Sequence, residues 1–390
     1  MKENLKVKII DDMKNTDYHQ ARIDFSKKIY DTPSMLPHRY VFVLTNRCNL
    51  RCSFCFQEKD HINGSLTTKD WLDVIEQLPE YAHVTLTGGE PFIFKGFEEV
   101  FKAVTKKHTC NIISNGLLLT DEIIELLLST PNFKVLSISV DDIGNEVRDV
   151  VPDQWAKAED LMRRFSEKRD EYGSITVLDS KTVVLDENAG ELFNIHKYCI
   201  EKLKCDTHSF MLLKGSPIQY ADHMLPLENM MHESKAYVYK NLSTILNELE
   251  KVRKYNIAMN KKCFVHPKVI DVNSTKSVDN LDLRFINNGQ HNVADFKACK
   301  APWESVHINV DGNLFPCMAI KMGNVKEQKL ADIISSPTFQ EFKDTIRAKG
   351  TVGGCNRCGY LLPKDNPKIL DKNSTLEIKD NIDNIAVRVI

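Results

Sequence analysis

From residue 40 to about residue 215 the chain alternates short apolar runs with amphipathic stretches, and few architectures accept that order. The apolar runs are Tyr40–Leu44, His83–Thr87, Cys110–Ser114, Val135–Val140, part of Ile175–Leu185, and Ser209–Leu213. Runs this short, rich in β-branched residues, read as buried strands. The stretches between them read as helices with defined starts. Thr67 with Asp70 forms a capping-box pattern before Trp71–Leu78, and Asn188 with Glu191 repeats it. Asp121 and Glu122 place negative charge in the first turn of the helix ending near Leu128, where the helix dipole favours it. Strand and helix in strict alternation give a parallel sheet covered by helices. A closed eight-fold barrel needs about 250 residues, so roughly 175 suit an open six-stranded partial barrel better.

The loop after the first strand carries Cys48-Asn49-Leu50-Arg51-Cys52-Ser53-Phe54-Cys55, a Cys-x3-Cys-x2-Cys spacing. Three thiolates on one tight loop can hold three irons of a cubane 4Fe–4S cluster. The fourth iron would then have no protein ligand, and an open coordination position is where a metal site does chemistry. The alternative is structural zinc, with His61 as fourth ligand.

About thirty residues on, the second strand runs into Gly88-Gly89-Glu90-Pro91. Two glycines let a backbone approach a partner closely, and strand ends are where ligands sit in β/α barrels. The cysteine triplet and this segment together resemble the radical S-adenosylmethionine (SAM) superfamily. The resemblance implies that SAM binds the open iron through its amino and carboxylate groups. One electron from the reduced cluster cleaves the sulfonium to methionine and a 5′-deoxyadenosyl radical, which takes hydrogen from an unactivated C–H bond. By position, Gly88, Gly89 and Glu90 match the segment that bonds the methionine amino group. Phe54 matches an aromatic near adenine, and Asn115, Ser139 and Asp141 match segments lining the ribose and methionine. Arg148 could pair with the SAM carboxylate, although a solvated arginine is the plainer expectation.

A second cysteine set lies late in the chain: Cys299, Cys317, Cys355 and Cys358. Val306, Ile308 and Val310 alternate as a strand does, and Asp311-Gly312 signals a hairpin that would return Cys317 towards Cys299. Cys355-Asn356-Arg357-Cys358, after Gly353-Gly354, supplies two more thiols. Four thiolates close a site, and by themselves they would suit structural zinc. Beside the first motif, the spacing resembles the SPASM or shorter twitch extension, which implies an auxiliary 4Fe–4S cluster. No cysteine follows Cys358, although the full SPASM pattern continues with three more. One auxiliary cluster, fully ligated by protein, is therefore expected, with the role of accepting an electron from the substrate radical.

Composition sets bounds. Net charge of −2 gives no electrostatic reason to expect nucleic acid or anionic membrane, and no stretch approaches the roughly 20 apolar residues of a bilayer span. Eleven cysteines without an apolar signal segment point to metal ligation in a reducing, cytoplasmic setting. Cys110, Cys199 and Cys205 read as buried core thiols, and Cys263 is unassigned, with a catalytic thiol as one option. Helix is expected over Glu228–Tyr255, with Val238, Leu242, Ile245, Leu246 and Leu249 as its buried stripe. Residues 257–298 carry no readable period, and Ile385–Ile390 alternates as a final strand would.

The expected fold is α/β: a partial (β/α)6 TIM-like barrel with a C-terminal α+β auxiliary-cluster domain. The divisions are 1–37, an N-terminal extension; 38–220, the barrel; 221–298, a helical linker; 299–360, the auxiliary-cluster domain; and 361–390, a tail. The expected activity is a radical SAM oxidoreductase with a flavodoxin- or ferredoxin-type electron donor. Peptide-modifying relatives often carry an N-terminal leader-binding domain, and little chain precedes the first strand here. That favours a small polar substrate such as a sugar or cyclitol, with a ribosomal peptide as the alternative.

Overall fold

The computed structural model describes residues 25–55, 65–213, 237–273, 296–317, 320–351, 355, 358–362 and 364. His61, the Gly215-Ser216-Pro217 turn, residues 274–295, Gly353-Gly354 and Ile385–Ile390 lie outside the described residues.

The six expected strands form within two residues of their expected bounds: β1 (Arg39–Val43), β2 (His83–Thr87), β3 (Thr109–Ser114), β4 (Phe133–Ser139), β5 (Val177–Val184) and β6 (Thr207–Leu212). All pair in parallel, in chain order. The sheet does not stop there. A seventh strand, β7 (Cys263–His266), pairs in parallel with β6, and β8 (Ser305–Ile308) pairs in parallel with β1. The hairpin expected at Asp311-Gly312 joins β8 to β9 (Asn313–Phe315), Gly312 adopting φ +88°, and β10 (Gly323–Asn324) completes the edge. The order is β10-β9-β8-β1-β2-β3-β4-β5-β6-β7. The C-terminal segment thus continues the barrel sheet.

Strand alternation separates two faces. Outward residues such as Tyr40, Phe42, Val84, Leu86, Ile112, Leu136 and Ile138 pack in one core with Trp71, Phe101, Leu127 and Met162 of the covering helices. Each fully buried apolar side chain of this size stabilises by about 1.5–3 kcal/mol. Helix α1 (Thr68–Ile75) starts at the expected capping box, with both reciprocal bonds made by Thr67 and Asp70. Helices α2 (Phe97–Lys107), α3 (Asp121–Leu128) and α4 (Pro152–Tyr172) follow β2, β3 and β4. Thr120 caps α3, whose first turn holds Asp121 and Glu122 as expected.

Two local expectations are corrected. Asn188 does not cap the next helix, α5 (Leu192–Lys197): Glu191 stands there without a side-chain cap. The Asn188 amide instead donates to the carbonyls of Asp141 and Val183 and accepts from Leu185 N, tying the ends of β4 and β5 together. The long helix starts only at Leu242 (α6, Leu242–Met259), so Val238 is exposed and not part of a buried stripe. Tyr237 and Tyr239 precede it as tethers, bonding Asp186 (2.7 Å) and the Val184 carbonyl (3.0 Å).

Candidate active site

Among the described residues, Cys48, Cys52, Phe54, Glu90, Asn115, Asp141 and Arg148 meet at the C-terminal ends of β1 to β4, the end that carries chemistry in β/α barrels. The cysteine loop leaves β1 alongside the end of β2. Leu44 N donates to Thr87 O (2.9 Å), Gly89 N to Thr45 O (2.6 Å), and Glu90 N to Arg47 O (2.9 Å). A Cβ at Gly88, where φ is +155°, would lie 2.5 Å from Thr45 O. One at Gly89 would lie 2.6 Å from the Arg47 carbonyl carbon. What the two glycines accommodate here is the backbone of the cysteine loop itself.

Glu90 is fully buried and faces three donors: Ser114 Oγ (2.9 Å), Asn115 N (2.8 Å) and Phe92 N (3.3 Å). Burial pushes its carboxyl up to about 7, against the pull of these donors and of Arg148. Its carboxylate locks the end of β2 to the end of β3. That lock sets Asn115, whose Nδ2 lies 2.8 Å from Asn49 Oδ1 and 3.8 Å from Cys48 Sγ. Leu50 N also points at Cys48 Sγ (3.4 Å). Asn115 therefore touches the cysteine loop directly.

Asp141, beyond β4, is fully buried and forms an ion pair with Arg148 while accepting from Val183 N (2.5 Å). Burial raises its carboxyl, and Arg148 opposes that. Arg148 is not solvated as expected. Its Nη1 lies 3.7 Å from Cys52 Sγ and its guanidinium 5.4 Å from the centre of the Phe54 ring. Burial works to lower its pKa, but Asp141, Cys52 and Cys55 outweigh it and raise it. Asp141 is thus occupied in holding a cation against the cysteine loop. Ser139 ends β4 half-buried, its carbonyl accepting from Asn145 Nδ2 (3.2 Å). The contact with Cys52 is not readable in the sequence, because the fold brings Arg148 there from 96 residues away.

The donor set fits an iron–sulfur cluster. Cys48 and Cys52 are half-buried and Cys55 is exposed, all on one loop, with N–H groups and a guanidinium directed at the sulfurs. Such groups stabilise thiolates and tune clusters.

The second set also assembles. Burial raises the Cys299 thiol well above its usual range, and neighbouring Cys355, Cys358 and Cys317 push it the same way. Cys299 N donates to Gly350 O (2.8 Å), just past α7 (Pro337–Lys349). Trp303, Ile320, Phe342 and Ile346 pack around Cys299, Cys317 and Cys355. Ile29 and Tyr30 join them, so part of the N-terminal segment belongs to this packing unit.

Cys110, Cys199, Cys205 and Cys263 are all buried. Burial drives the Cys263 thiol well up, which disfavours the thiolate that a nucleophile needs. It lies with His196 and His208 in a group that could hold a metal ion. There the two Nδ1 atoms are 3.0 Å apart and the outer nitrogens reach Asn256 Oδ1 and Thr182 Oγ1.

Comparison with known proteins agrees with this geometry. Residues 42–198 match the radical SAM superfamily and residues 299–359 match SPASM, an iron–sulfur cluster-binding domain. The chain belongs to the radical SAM superfamily and carries a C-terminal SPASM-type domain. Such a chain uses SAM, a 4Fe–4S cluster and auxiliary iron–sulfur ligation. The sporulation killing factor maturation protein SkfB of Bacillus subtilis (strain 168) is 39% identical over 116 residues, which are 29% of this chain and 28% of that one. The stretch matched spans about a quarter to a third of the length of this and similar curated relatives. The PqqA peptide cyclase of Granulibacter bethesdensis is 24% identical across 80% of this chain and 78% of its own. Streptococcus suis SuiB has the same fold, with a TM-score of 0.56 at 17% identity over 83% of this chain and 72% of that one. No helix among the described residues is long and apolar enough to cross a membrane.

Proposed function

We propose that this protein is a radical SAM peptide maturase, abstracting hydrogen from a C–H bond of a ribosomally made peptide. The observation that carries the reading is the PqqA peptide cyclase alignment, which extends over 80% of this chain and 78% of that protein. SkfB, named a maturation protein, points the same way, and SuiB has been crystallised with its precursor peptide SuiA. A sugar or cyclitol substrate, favoured above from the shortness of the segment before β1, has no comparable support.

On this reading Cys48, Cys52 and Cys55 hold the SAM cluster, and Cys299, Cys317, Cys355 and Cys358 hold one auxiliary cluster that takes up an electron. When bound, the first cluster and SAM supply the carbon radical that removes the hydrogen. The chain's own residues do the positioning. Asn115 and Leu50 N fix Cys48, while Arg148, held by Asp141, offsets the negative charge of the thiolates and stays beside Phe54. Glu90 joins the two strand ends on which this depends. Gly88, Gly89 and Ser139 remain proposed SAM contacts.

The test is anaerobic incubation of reconstituted enzyme with SAM, reductant and either candidate precursor peptides or aminocyclitols. Formation of 5′-deoxyadenosine with a peptide lighter by two hydrogens is expected. An oxidised cyclitol with every peptide unchanged would overturn the reading.

A further inference from the structure

Strand residues that alternate with the helix-facing core line the interior of the barrel, and in this chain that interior is basic. Tyr40, Val84, Leu178, Val265 and Val306 belong to the outer cores. Their alternates Arg39, His83, Lys181, His266 and His307 therefore face inward from β1, β2, β5, β7 and β8. One carboxylate from the strands shares that space, Asp179 of β5. It already accepts from Ser137 Oγ (3.0 Å) and Thr207 Oγ1 (2.6 Å) and lies 3.5 Å from Lys181 Nζ. Barrel interiors are ordinarily filled by layers of branched apolar side chains, so this one departs from the rule.

A second observation points to a ligand. Asn111, inward from β3 and fully buried, has a partner for neither amide atom, and the same holds for Ser209 Oγ and Arg39 Nε. Buried polar atoms are nearly always paired, with protein, water or a ligand, so this group has bonding capacity that a bound polar molecule can take up. Arg39 Nη1 donates to two hydroxyls, Ser305 Oγ (3.2 Å) and Tyr360 OH (3.0 Å). Burial lowers the Lys181 pKa, Asp179 opposes that, and the charge of Arg39 lowers it further, a strain that an incoming anion would relieve.

We propose that this interior seats one carboxylate of the substrate, an aspartyl or glutamyl side chain of the peptide, between Arg39 and Lys181, with the Asn111 amide as neutral donor. The proposal rests on the peptide reading above and names the residue class the barrel receives. A single carboxylate suits the space better than a phosphate, because Asp179 repels a second negative charge there. Arg39 offers a planar fork of donors and Lys181 a point charge, and hydrogen bonds from such cations to a carboxylate are stronger than neutral ones.

The experiment uses reconstituted holoenzyme with SAM and dithionite, and the tripeptides acetyl-Ala-X-Ala-amide with X as Glu, Asp, Gln or Lys. It reads the peptide concentration that half-maximally changes 5′-deoxyadenosine formation. The Glu or Asp peptide is expected to act at about tenfold lower concentration than the Gln peptide. Lys181→Met is expected to erase most of that ratio. Asn111→Leu, which breaks no existing bond, is expected to weaken the acidic peptide several-fold, with iron content and melting curve as controls for folding. Equal action of Glu and Gln peptides overturns the proposal, as does an acidic preference intact in both variants. If glutarate acts and no peptide does, the anionic seat stands and the peptide reading fails. Action by inorganic phosphate or a nucleotide alone overturns the seat as drawn.

Discussion

Replacing Gly89 with alanine is expected to cost the protein its first cluster and spare the second. The new Cβ would stand 2.6 Å from the Arg47 carbonyl carbon and 2.8 Å from Asn46 O, with the Arg47 oxygen closer still. Non-bonded heavy atoms settle at roughly 3.5 Å, so the cysteine loop must move by about 1 Å. All the opposing atoms are backbone, which leaves no flexible side-chain tip to swing aside. That movement breaks the Gly89 N to Thr45 O and Glu90 N to Arg47 O bonds, each worth about 1 kcal/mol net. Overpacking adds about 1–3 kcal/mol, for a local cost of about 3–5 kcal/mol. The core behind β1 and β2 is formed by other residues, so the chain still folds. Anaerobic iron analysis is expected to fall by about four irons per chain, and SAM cleavage by about 100-fold or more. A Gly89→Ala protein with full iron and wild-type SAM cleavage would refute the idea that this close approach positions Cys48.

Arg148→Gln removes a cation from beside Cys52. The first cluster's reduction potential is expected to move to more negative values, with SAM cleavage down about tenfold, by EPR-monitored titration; an unmoved potential counts against the assigned position. Glu90 gives a pH signature in the cluster-free chain. Its carboxyl rises from an ordinary 4.5 to about 7, so its contribution to stability is full below pH 4.5 and lost as pH rises through about 7. That is at most roughly 3 kcal/mol, and urea unfolding of Glu90→Gln is expected to show a correspondingly shallower decline from pH 5 to pH 8. His196 works in the opposite sense. Burial lowers it from 6.5 to about 4, so its contribution is full above pH 6.5 and lost as pH falls through about 4. Acid unfolding of His196→Gln is expected to show a weaker dependence over that range, and identical curves would contradict the burial argument.

The strands β1 to β6 were legible because buried parallel strands leave short apolar runs between amphipathic helices, a purely local signal. β7 was not, since Cys263-Phe264-Val265-His266 is too short to show a period. β8 could be read as a strand, but its pairing with β1 joins residues more than 260 positions apart, which no local pattern encodes. Cysteine spacing announced both thiol sets, because ligation of a compact cluster constrains sequence directly. The supporting contacts are less legible. The resemblance places Glu90, Asn115 and Asp141 near SAM by position, and the structure adds that each also holds a strand end or a loop residue, contacts that only the folded barrel creates. Arg148 passed for a surface side chain because its partners Asp141 and Cys52 meet it only once β1 and β4 lie in one barrel. Tyr239 falls inside the expected helix, which begins only three residues later; Asn241, a residue type favoured at the N-cap, is the signal that marks the boundary.

The most direct trial is EPR of reduced, anaerobically reconstituted Cys317→Ala protein, with and without SAM, followed by assay for 5′-deoxyadenosine. A signal from the Cys48, Cys52 and Cys55 loop that shifts when SAM is added, and disappears in Cys55→Ala, is the predicted result. A spectrum indifferent to SAM, or one that survives loss of Cys55, would contradict the assignment of an open iron to that loop.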